Sequence, residues 1–345
     1  MKILIIRLSA IGDIVMSMPV AACLKAKWPE AQITWLTQPE NKSLLEHHPH
    51  IDQVICWDKA KTKALFKQKK LGAAYAELKV LSKQLKAENF DLCLDMQGLM
   101  KSGLMAWLSG AKRKVGLGSK EGSQWLMDEV VARDLGDTTL ISSEYRSLVK
   151  HLGCAADFKL ELYPGTKAEQ SSAKIIDEQI RSQFIVICPF TTRPQKHWFT
   201  DYWNQLIELL QNNLNMKLVM LGGPGDKAAA DQIAGVGLIN LVGQTSLTEA
   251  AALIERSSGL IGVDTGLTHM GHASGVPTLG LFGATKPYSH TGSAQSNILH
   301  FGALCSTGKH DAREEFSGCM RDLTPEIAHE AFLKLLSTQP KDQTP

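Results

Sequence analysis

The sequence contains no Cys-x-x-Cys pair, no Asp-x-Asp triplet and no Gly-x-Ser-x-Gly pentapeptide. It also has no uninterrupted apolar run of about 18 residues, so no segment is expected to cross a membrane as a helix. The first absence removes zinc ribbons and thioredoxin-type redox sites, which need thiolates paired at that spacing. The second takes away the usual carboxylate pair that clamps a metal on a diphosphate. The third argues against the nucleophile elbow of an α/β-hydrolase. Charge of one sign is also lacking: 37 Lys and Arg stand against 35 Asp and Glu, a formal +2, and nothing in that balance points to nucleic acid.

Seven cysteines are present (Cys23, Cys56, Cys93, Cys154, Cys188, Cys305 and Cys319). Their odd number and scatter, several within apolar strand-like runs, fit reduced cytosolic thiols better than a disulfide framework. The N-terminus, from Met1-Lys2 through Ile3 to Ile6 and on to Cys23, has the outline of a lipoprotein-type secretion signal. Arg7 and Asp13 interrupt its apolar stretch, so residues 1–6 are read as the first strand of the fold and the chain is expected in the cytoplasm. Two histidine groups invite a metal reading. His47-His48-Pro49-His50 carries a proline and reads as a surface turn, and His269/His272 lies in a turn suited to phosphate, so no metal site is expected.

A chain of 345 residues with 44% hydrophobic and 21% charged residues accommodates two ordinary globular domains. Short β-type runs alternate with longer amphipathic stretches, the signature of βα units and parallel sheets. Strands are expected at 2–6, 32–37, 52–56 and 91–95, and helices at 13–27, 73–88 and 143–152. The periodicity breaks around 158–178, read as a linker. It then resumes with strands near 184–188, 216–221, 238–242, 259–263 and 277–282, helices between them near 199–212, 226–234, 247–256 and 267–274, and a last helix near 325–337. The expected organisation is a doubly wound α/β domain over 1–165, a second over 175–325, and a C-terminal helix and polar tail over 326–345, with ligands outside the carboxyl ends of the strands.

The residues that carry chemistry cluster just after those strands. Gly259 to Val263 runs into Asp264-Thr265-Gly266-Leu267-Thr268-His269, a strand-to-helix turn that aims backbone N–H groups and a helix dipole at one spot and so suits a phosphate. Asp264 would repel phosphate and is better placed to accept from sugar hydroxyls. The same residues also read as a plain helix N-cap. Strand 184–188 ends at Thr191 and Thr192, followed by Lys196, a cation suited to a departing diphosphate, while Trp198 reads as core. The loop Gly222-Gly223-Pro224-Gly225-Asp226 lets backbone approach a nucleoside, with Asp226 on ribose hydroxyls or simply capping a helix. It is neither a dinucleotide fingerprint nor a Walker loop. In the first half, Arg7-Leu8-Ser9-Ala10-Ile11-Gly12-Asp13 places Asp13 at the mouth of a helix, as a cap or as a base for an attacking hydroxyl. The lysines of 59–70, among them Lys61 and Lys63, read as a solvated face, or as a receiver of an anionic acceptor or lipid headgroups. Lys101 follows strand 91–95.

Taken in order, these pieces resemble glycosyltransferase family 9, the bacterial heptosyltransferases of lipopolysaccharide inner-core synthesis, over nearly the whole chain. The resemblance rests on Ser9-x-x-Gly12-Asp13, Gln97-Gly98-Leu99-x-Lys101-Ser102, Thr191-Thr192-x-x-x-Lys196-x-Trp198 and Gly222-Gly223-Pro224. It continues through Asp264-Thr265-Gly266-x-x-His269 and Cys319-Met320 before Thr324-Pro325-Glu326. The Gln-Gly-Leu-x-Lys-Ser segment looks most like the first heptosyltransferase of that pathway.

The resemblance implies a GT-B fold of two Rossmann-like domains and an inverting, metal-independent transfer from ADP-heptose, releasing ADP. The acceptor would be an anionic glycolipid of Kdo-lipid A type, reached by peripheral contact with the inner membrane at its cytoplasmic face. Asp13 would be the base and Lys196 the stabiliser of the leaving group. Thr191, Thr192, Gly223, Asp226, Asp264, Thr265, Gly266 and His269 would hold the donor, and Ser9, Gly12, Lys61, Lys63 and Lys101 the acceptor. The chain departs from the family pattern at Asp226, where a glutamate is expected, in carrying lysines for arginines over 59–70, and in lacking a histidine upstream of 143–152. A later core acceptor, another nucleotide-sugar, an epimerase or a silent binding protein are the alternatives.

Overall fold

Lys2-Ile-Leu-Ile-Ile6 is apolar on both faces after its first residue, which a strand tolerates only where helices cover both sides of a parallel sheet. A computed structural model shows that arrangement twice. It describes residues 1–119, 121–155, 157–285, 287–301 and 320–338. Cys305, Cys319 and the tail from Pro340 to Pro345 lie outside the described residues.

The chain divides into two compact units, one of Met1–Thr138 with Ser142–Tyr163 and one of Thr139–Ile141 with Pro164–Pro345. The N-terminal unit contains strands β1 (Lys2–Ile6), β2 (Gln32–Thr37), β3 (Gln53–Cys56), β4 (Leu92–Asp95), β5 (Arg113–Leu117) and β6 (Glu129–Val131). Its helices are α1 (Ile11–Ser17), α2 (Pro19–Lys27), α3 (Lys59–Lys67), α4 (Leu71–Ala87), α5 (Met100–Ser109) and α6 (Ser143–His151). The C-terminal unit contains β7 (Phe184–Cys188), β8 (Lys217–Met220), β9 (Ile239–Asn240), β10 (Gly259–Val263), β11 (Thr278–Phe282) and β12 (Ser296–His300). Its helices are α7 (Thr166–Ile175), α8 (Thr200–Asn213), α9 (Lys227–Ala230), α10 (Leu247–Glu255), α11 (Gly266–Ser274) and α12 (Pro325–Ser337).

Each sheet is parallel throughout. The first has the order β3-β2-β1-β4-β5-β6 and the second β12-β11-β10-β7-β8-β9, the same winding read from the other edge. In both, strand order reverses between the first and fourth strands of the unit. Their diverging connections leave a crevice at that switch point, where open α/β sheets bind ligands.

The cores explain the helices. In the N-terminal unit Leu81 and Leu85 of α4 and Met105 and Ala106 of α5 pack with Leu4, Ile6, Ile55 and Cys93 of the strands, so both helices cover one face of the sheet. In the C-terminal unit Trp203, Leu206 and Leu210 of α8 and Phe332 of α12 fill the equivalent layer with Ile185, Ile261 and Leu279. Trp198 joins this core, its Nε1–H donating to Leu323 O at 2.9 Å, as expected of it.

Three expectations are corrected. The helix anticipated at 13–27 is two helices joined at Met18, because Pro19 has no N–H to continue the ladder. Much of the expected linker 158–178 is helix α7, which buries Ala168 and Ser172 and packs against α10. His48, read as part of a surface turn, is buried edge-on against Tyr163 at 4.5 Å, and burial, then the charge of His50, holds its imidazole down at about 4.

Candidate active site

The chain leaving β1 meets the chain leaving β4, and the residues between Arg7 and Lys101 form the first cluster. Register places Ile6 beside Asp95, so Arg7 emerges beside Met96 and its Nη1 donates to Met96 O at 2.8 Å. Its Nη2 lies 2.6 Å from Asp13 Oδ2, and the same carboxylate accepts from the Ala10 N–H at 3.1 Å. Arg7 is buried, with its guanidinium 5.7 Å from the centre of the Tyr145 ring. Asp13 keeps 37% of its side chain exposed.

Beneath this pair the Gln97-Gly98-Leu99-x-Lys101-Ser102 segment is a scaffold. Asp95, fully buried, accepts from the Gln97 and Gly98 N–H groups at 3.0 and 3.1 Å and from Ser102 Oγ at 3.0 Å. Gln97 Oε1 accepts from Leu8 N at 2.9 Å, and its Nε2 reaches Ser9 Oγ at 3.4 Å. Gly98 sits at φ +63°, and a Cβ there would come within 2.9 Å of the Leu117 carbonyl oxygen, so glycine is favoured. Arg133 clamps the loop, donating to Gln97 O and Gly118 O at 2.6 Å each and pairing with Glu144.

That scaffold starts α5 with Lys101 in its first turn, against Lys59 of α3. Burial first, then the hydrogen bond and like charge of Lys59, lower the Lys101 ammonium to about 8. Gly12 is buried in the first turn of α1, and Ser9 half-exposed before it. Lys61 pairs with Glu77 at 2.7 Å and Lys63 is exposed, so among the lysines of α3 it is Lys59 that the fold brings to Lys101.

The second cluster lies at the switch point of β7 and β10. Gly262 lets α11 settle on the strand: a Cβ there would fall 2.2 Å from Thr268 Oγ1 and 2.9 Å from Cys188 Cβ. Thr268 Oγ1 donates to Val263 O at 2.7 Å. Thr265, the N-cap of α11, makes no side-chain cap hydrogen bond, so the first-turn N–H groups of Gly266 onward are not taken up by that side chain.

Asp264 anchors what surrounds that helix end. Lys196 Nζ donates to its Oδ2 at 2.5 Å, His269 Nε2 lies 3.3 Å from its Oδ1, and Thr285 Oγ1 donates to Oδ2. Thr191 Oγ1 donates to the Asp264 carbonyl at 3.1 Å, while Thr192 is exposed. Burial favours the protonated acid. The His269 hydrogen bond and charge, followed by Lys196, outweigh it and hold Asp264 well below the ordinary carboxylate range.

His269 Nδ1 meets Tyr288 OH at 2.6 Å. Burial, then the Asp264 charge, push the Tyr288 hydroxyl far up, so it stays protonated beside the imidazole, whose other nitrogen, Nε2, faces Asp264. Gly223 N donates to Asp226 Oδ2 at 2.8 Å, closing the Gly222-Gly223-Pro224 loop on itself. Among the described residues no three His, Cys, Asp or Glu side chains stand together to hold a metal ion. His272, grouped with His269 in the sequence, turns away to Ser296 Oγ at 2.7 Å.

Arg7, Arg133, Thr285 and Tyr288 were not assigned to the site from sequence, and Lys59 was read only as one of the lysines of 59–70. Arg7 had a signal, a charge directly after an apolar strand. Thr285 and Tyr288 sit beyond the last apolar residue of β11 with no motif around them.

A profile of the family described as "Glycosyltransferase family 9 (heptosyltransferase)" matches residues 78–317. Lipopolysaccharide heptosyltransferase 1 of Escherichia coli K12 is 25% identical over 305 residues, covering 83% of this chain and 89% of the relative. Among solved structures, the glycosyl transferase family 9 protein of Veillonella parvula superposes with a TM-score of 0.84 at 19% identity, over 98% of both chains. The E. coli heptosyltransferase WaaC with ADP-2-deoxy-2-fluoro heptose superposes with 0.75 at 21% identity, over 97% of this chain and 99% of that one.

Proposed function

Because the chain belongs to glycosyltransferase family 9 and is a glycosyltransferase of GT-B type, we propose that it moves heptose from ADP-heptose to a lipopolysaccharide inner-core acceptor of Kdo-lipid A type. The transfer is an inverting, metal-independent displacement. The acceptor hydroxyl oxygen attacks the anomeric carbon, the bond from that carbon to the diphosphate oxygen breaks, and ADP leaves. Asp13 takes the hydroxyl proton. Arg7, bonded to it at 2.6 Å, orients the carboxylate.

The observation that carries this reading is the second cluster. An N-terminus of α11 without a side-chain cap stands beside Lys196 and His269, both on the Asp264 carboxylate, and Thr191, on the Asp264 backbone carbonyl. Backbone N–H groups and a cation in one place suit a departing diphosphate, where negative charge grows as the bond breaks. Asp264 divides its role between holding Lys196 and accepting from sugar hydroxyls, with Thr265, Gly266 and Thr192 completing the donor contacts and Gly223 and Asp226 approaching the nucleoside. Lys101, with Ser9, Gly12, Lys61 and Lys63, receives the anionic groups of the acceptor. The donor is met from the cytoplasm, and the acceptor by peripheral contact with the inner membrane.

The test is ADP release by purified protein given ADP-heptose, with and without Kdo-lipid A and with EDTA throughout. Release that requires both substrates and ignores EDTA is expected. Donor binding without turnover would redirect the acceptor to a later core intermediate, and no donor binding would sink the ADP-heptose assignment. Donor consumption without acceptor would turn the reading to an epimerase or hydrolase.

A further inference from the structure

Helix α5 carries apolar residues where a surface helix normally carries polar ones. Its inner face, Ser102, Met105, Ala106 and Ser109, is buried. The opposite face presents Met100, Leu104 and Trp107, an i, i+4, i+7 stripe directed at solvent. Trp107 is 58% exposed, and Trp125, in the turn Ser123–Leu126 packed on α5, is 85% exposed. The stripe and the turn are continuous: a Cβ at Gly122 would lie 3.2 Å from Met100 Cε and 3.7 Å from Trp125 Cδ1. The other five of the seven tryptophans are buried or half-buried.

Helix α4 runs beside α5 in the same direction, with Ser82 Oγ donating to Leu108 O at 3.0 Å and the Lys86 stem beside Gly110. It adds exposed Leu71 and Tyr75 one turn apart, and α3, packed on α4, adds exposed Phe66. Charge is concentrated on the same two helices. Residues 59–87 hold nine lysines against the single Glu77, a net +8, so the remainder of a chain whose total is +2 carries −6.

We infer that the outward face of α3, α4, α5 and the 123–126 turn docks on a bilayer of anionic lipids, with Trp107 and Trp125 at headgroup depth and the lysines on lipid phosphates. Lysine is depleted from protein–protein interfaces, and a second copy would bring an equal positive charge against this face. A bilayer supplies both missing partners, apolar depth and negative charge, and two weak signals together give stable peripheral binding. The inference deepens the proposed function, resting on it only in the choice of a membrane as the place of work.

The test needs neither donor nor acceptor. Full-length protein is sedimented with phosphatidylcholine vesicles and with mixed phosphatidylcholine–phosphatidylglycerol vesicles, at low and high salt. Binding is expected to the mixed vesicles, weakened by salt, with brominated lipid quenching tryptophan fluorescence. Trp107→Ser with Trp125→Ser should lower partitioning about tenfold or more, with an unchanged thermal transition and monomeric mass. Trp107→Phe with Trp125→Phe should retain most of it. Absence of wild-type binding, equal binding by the Ser variant, or equal binding to phosphatidylcholine alone would overturn the inference. So would a self-associating wild type that the Ser variant makes monomeric, which would give the face to a second copy. If ADP-heptose is not bound while vesicles are, the functional reading falls and the docking surface stands.

Discussion

Asp13 and Asp264 occupy comparable places, each beyond the carboxyl end of a strand at the switch point of its own sheet, yet the two units treat them in opposite ways. Asp264 has only 7% of its side chain exposed and is bonded to Lys196, His269 and Thr285. Asp13 is 37% exposed and holds Arg7 and one backbone N–H. The basic side chains differ in the same sense. In the C-terminal unit Lys196 and His269 converge on one carboxylate, whereas in the N-terminal unit Lys101 faces Lys59. A satisfied network holds its geometry before any ligand arrives. An exposed carboxylate and crowded ammonium groups remain available, one for a proton and the others for an anion. Under the proposed function, the contrast gives positioning to the C-terminal cluster and proton transfer and anion capture to the N-terminal one.

The strongest way to break that contrast is Asp13→Asn. It keeps the shape and the Ala10 contact but cannot take a proton, so kcat is expected to fall about 10²–10⁴-fold. ADP affinity by calorimetry should stay unchanged, because the proposed function places the donor groups in the other unit. Turnover close to wild type would remove Asp13 from the chemistry.

Asp264→Asn should act on stability as well as rate. Removing the carboxylate leaves Lys196, only 15% exposed, without its counter-charge, a loss of about 3 kcal/mol for a broken buried pair. Lys196→Met alone should lower kcat about 10²–10³-fold, and the double variant should recover part of the lost stability, a non-additivity that urea titrations measure. The pH dependence has a definite sign. Asp264 is held below its unfolded value, so its stabilisation is complete above the ordinary carboxylate range and is lost as pH falls through and below it. Asp264→Asn should therefore flatten the acid limb of the stability profile. An unchanged acid limb, or strictly additive single variants, would contradict the network.

The parts of this contrast legible in the sequence are those with a local signal. Strands β1, β7, β10 and β11 are apolar runs bounded by turns, and the residues after them were singled out because a parallel sheet places ligands there. Helix α3 was not anticipated because its lysines hide the helical period. Strand β5 (Arg-Lys-Val-Gly-Leu) opens on two charges, and β6 is three residues at a sheet edge. Pairings distant in sequence were equally hidden. Lys59 with Lys101 and Tyr288 with His269 depend on how helices and loops pack, and no spacing encodes them. Asp264 was identified as the odd member of a phosphate turn, but its role as the anchor of Lys196 emerges only from the 2.5 Å contact.

Lys101 gives the smallest and most specific test of the comparison. Its ammonium is lowered from 10.5 to about 8 by burial and then by Lys59, so it is charged at neutral pH and loses its proton as pH rises through about 8. If it captures the acceptor's anionic groups, acceptor KM should rise severalfold between about pH 7 and pH 9 while donor KM stays level. Stability should move the other way. The unfolded chain keeps the lysine proton up to its ordinary value, so between about 8 and 10.5 the folded state holds fewer protons and gains stability as pH rises. Binding an anion beside Lys101 should raise its pKa, so acceptor binding near pH 8 should take up a proton, measurable by calorimetry in buffers of different ionisation enthalpy. Lys101→Met should abolish both the uptake and the pH dependence of acceptor KM. A wild-type acceptor KM that stays flat across this interval would mean that the crowded lysines are only a solvated face, and the contrast with the C-terminal cluster would then rest on Asp13 alone.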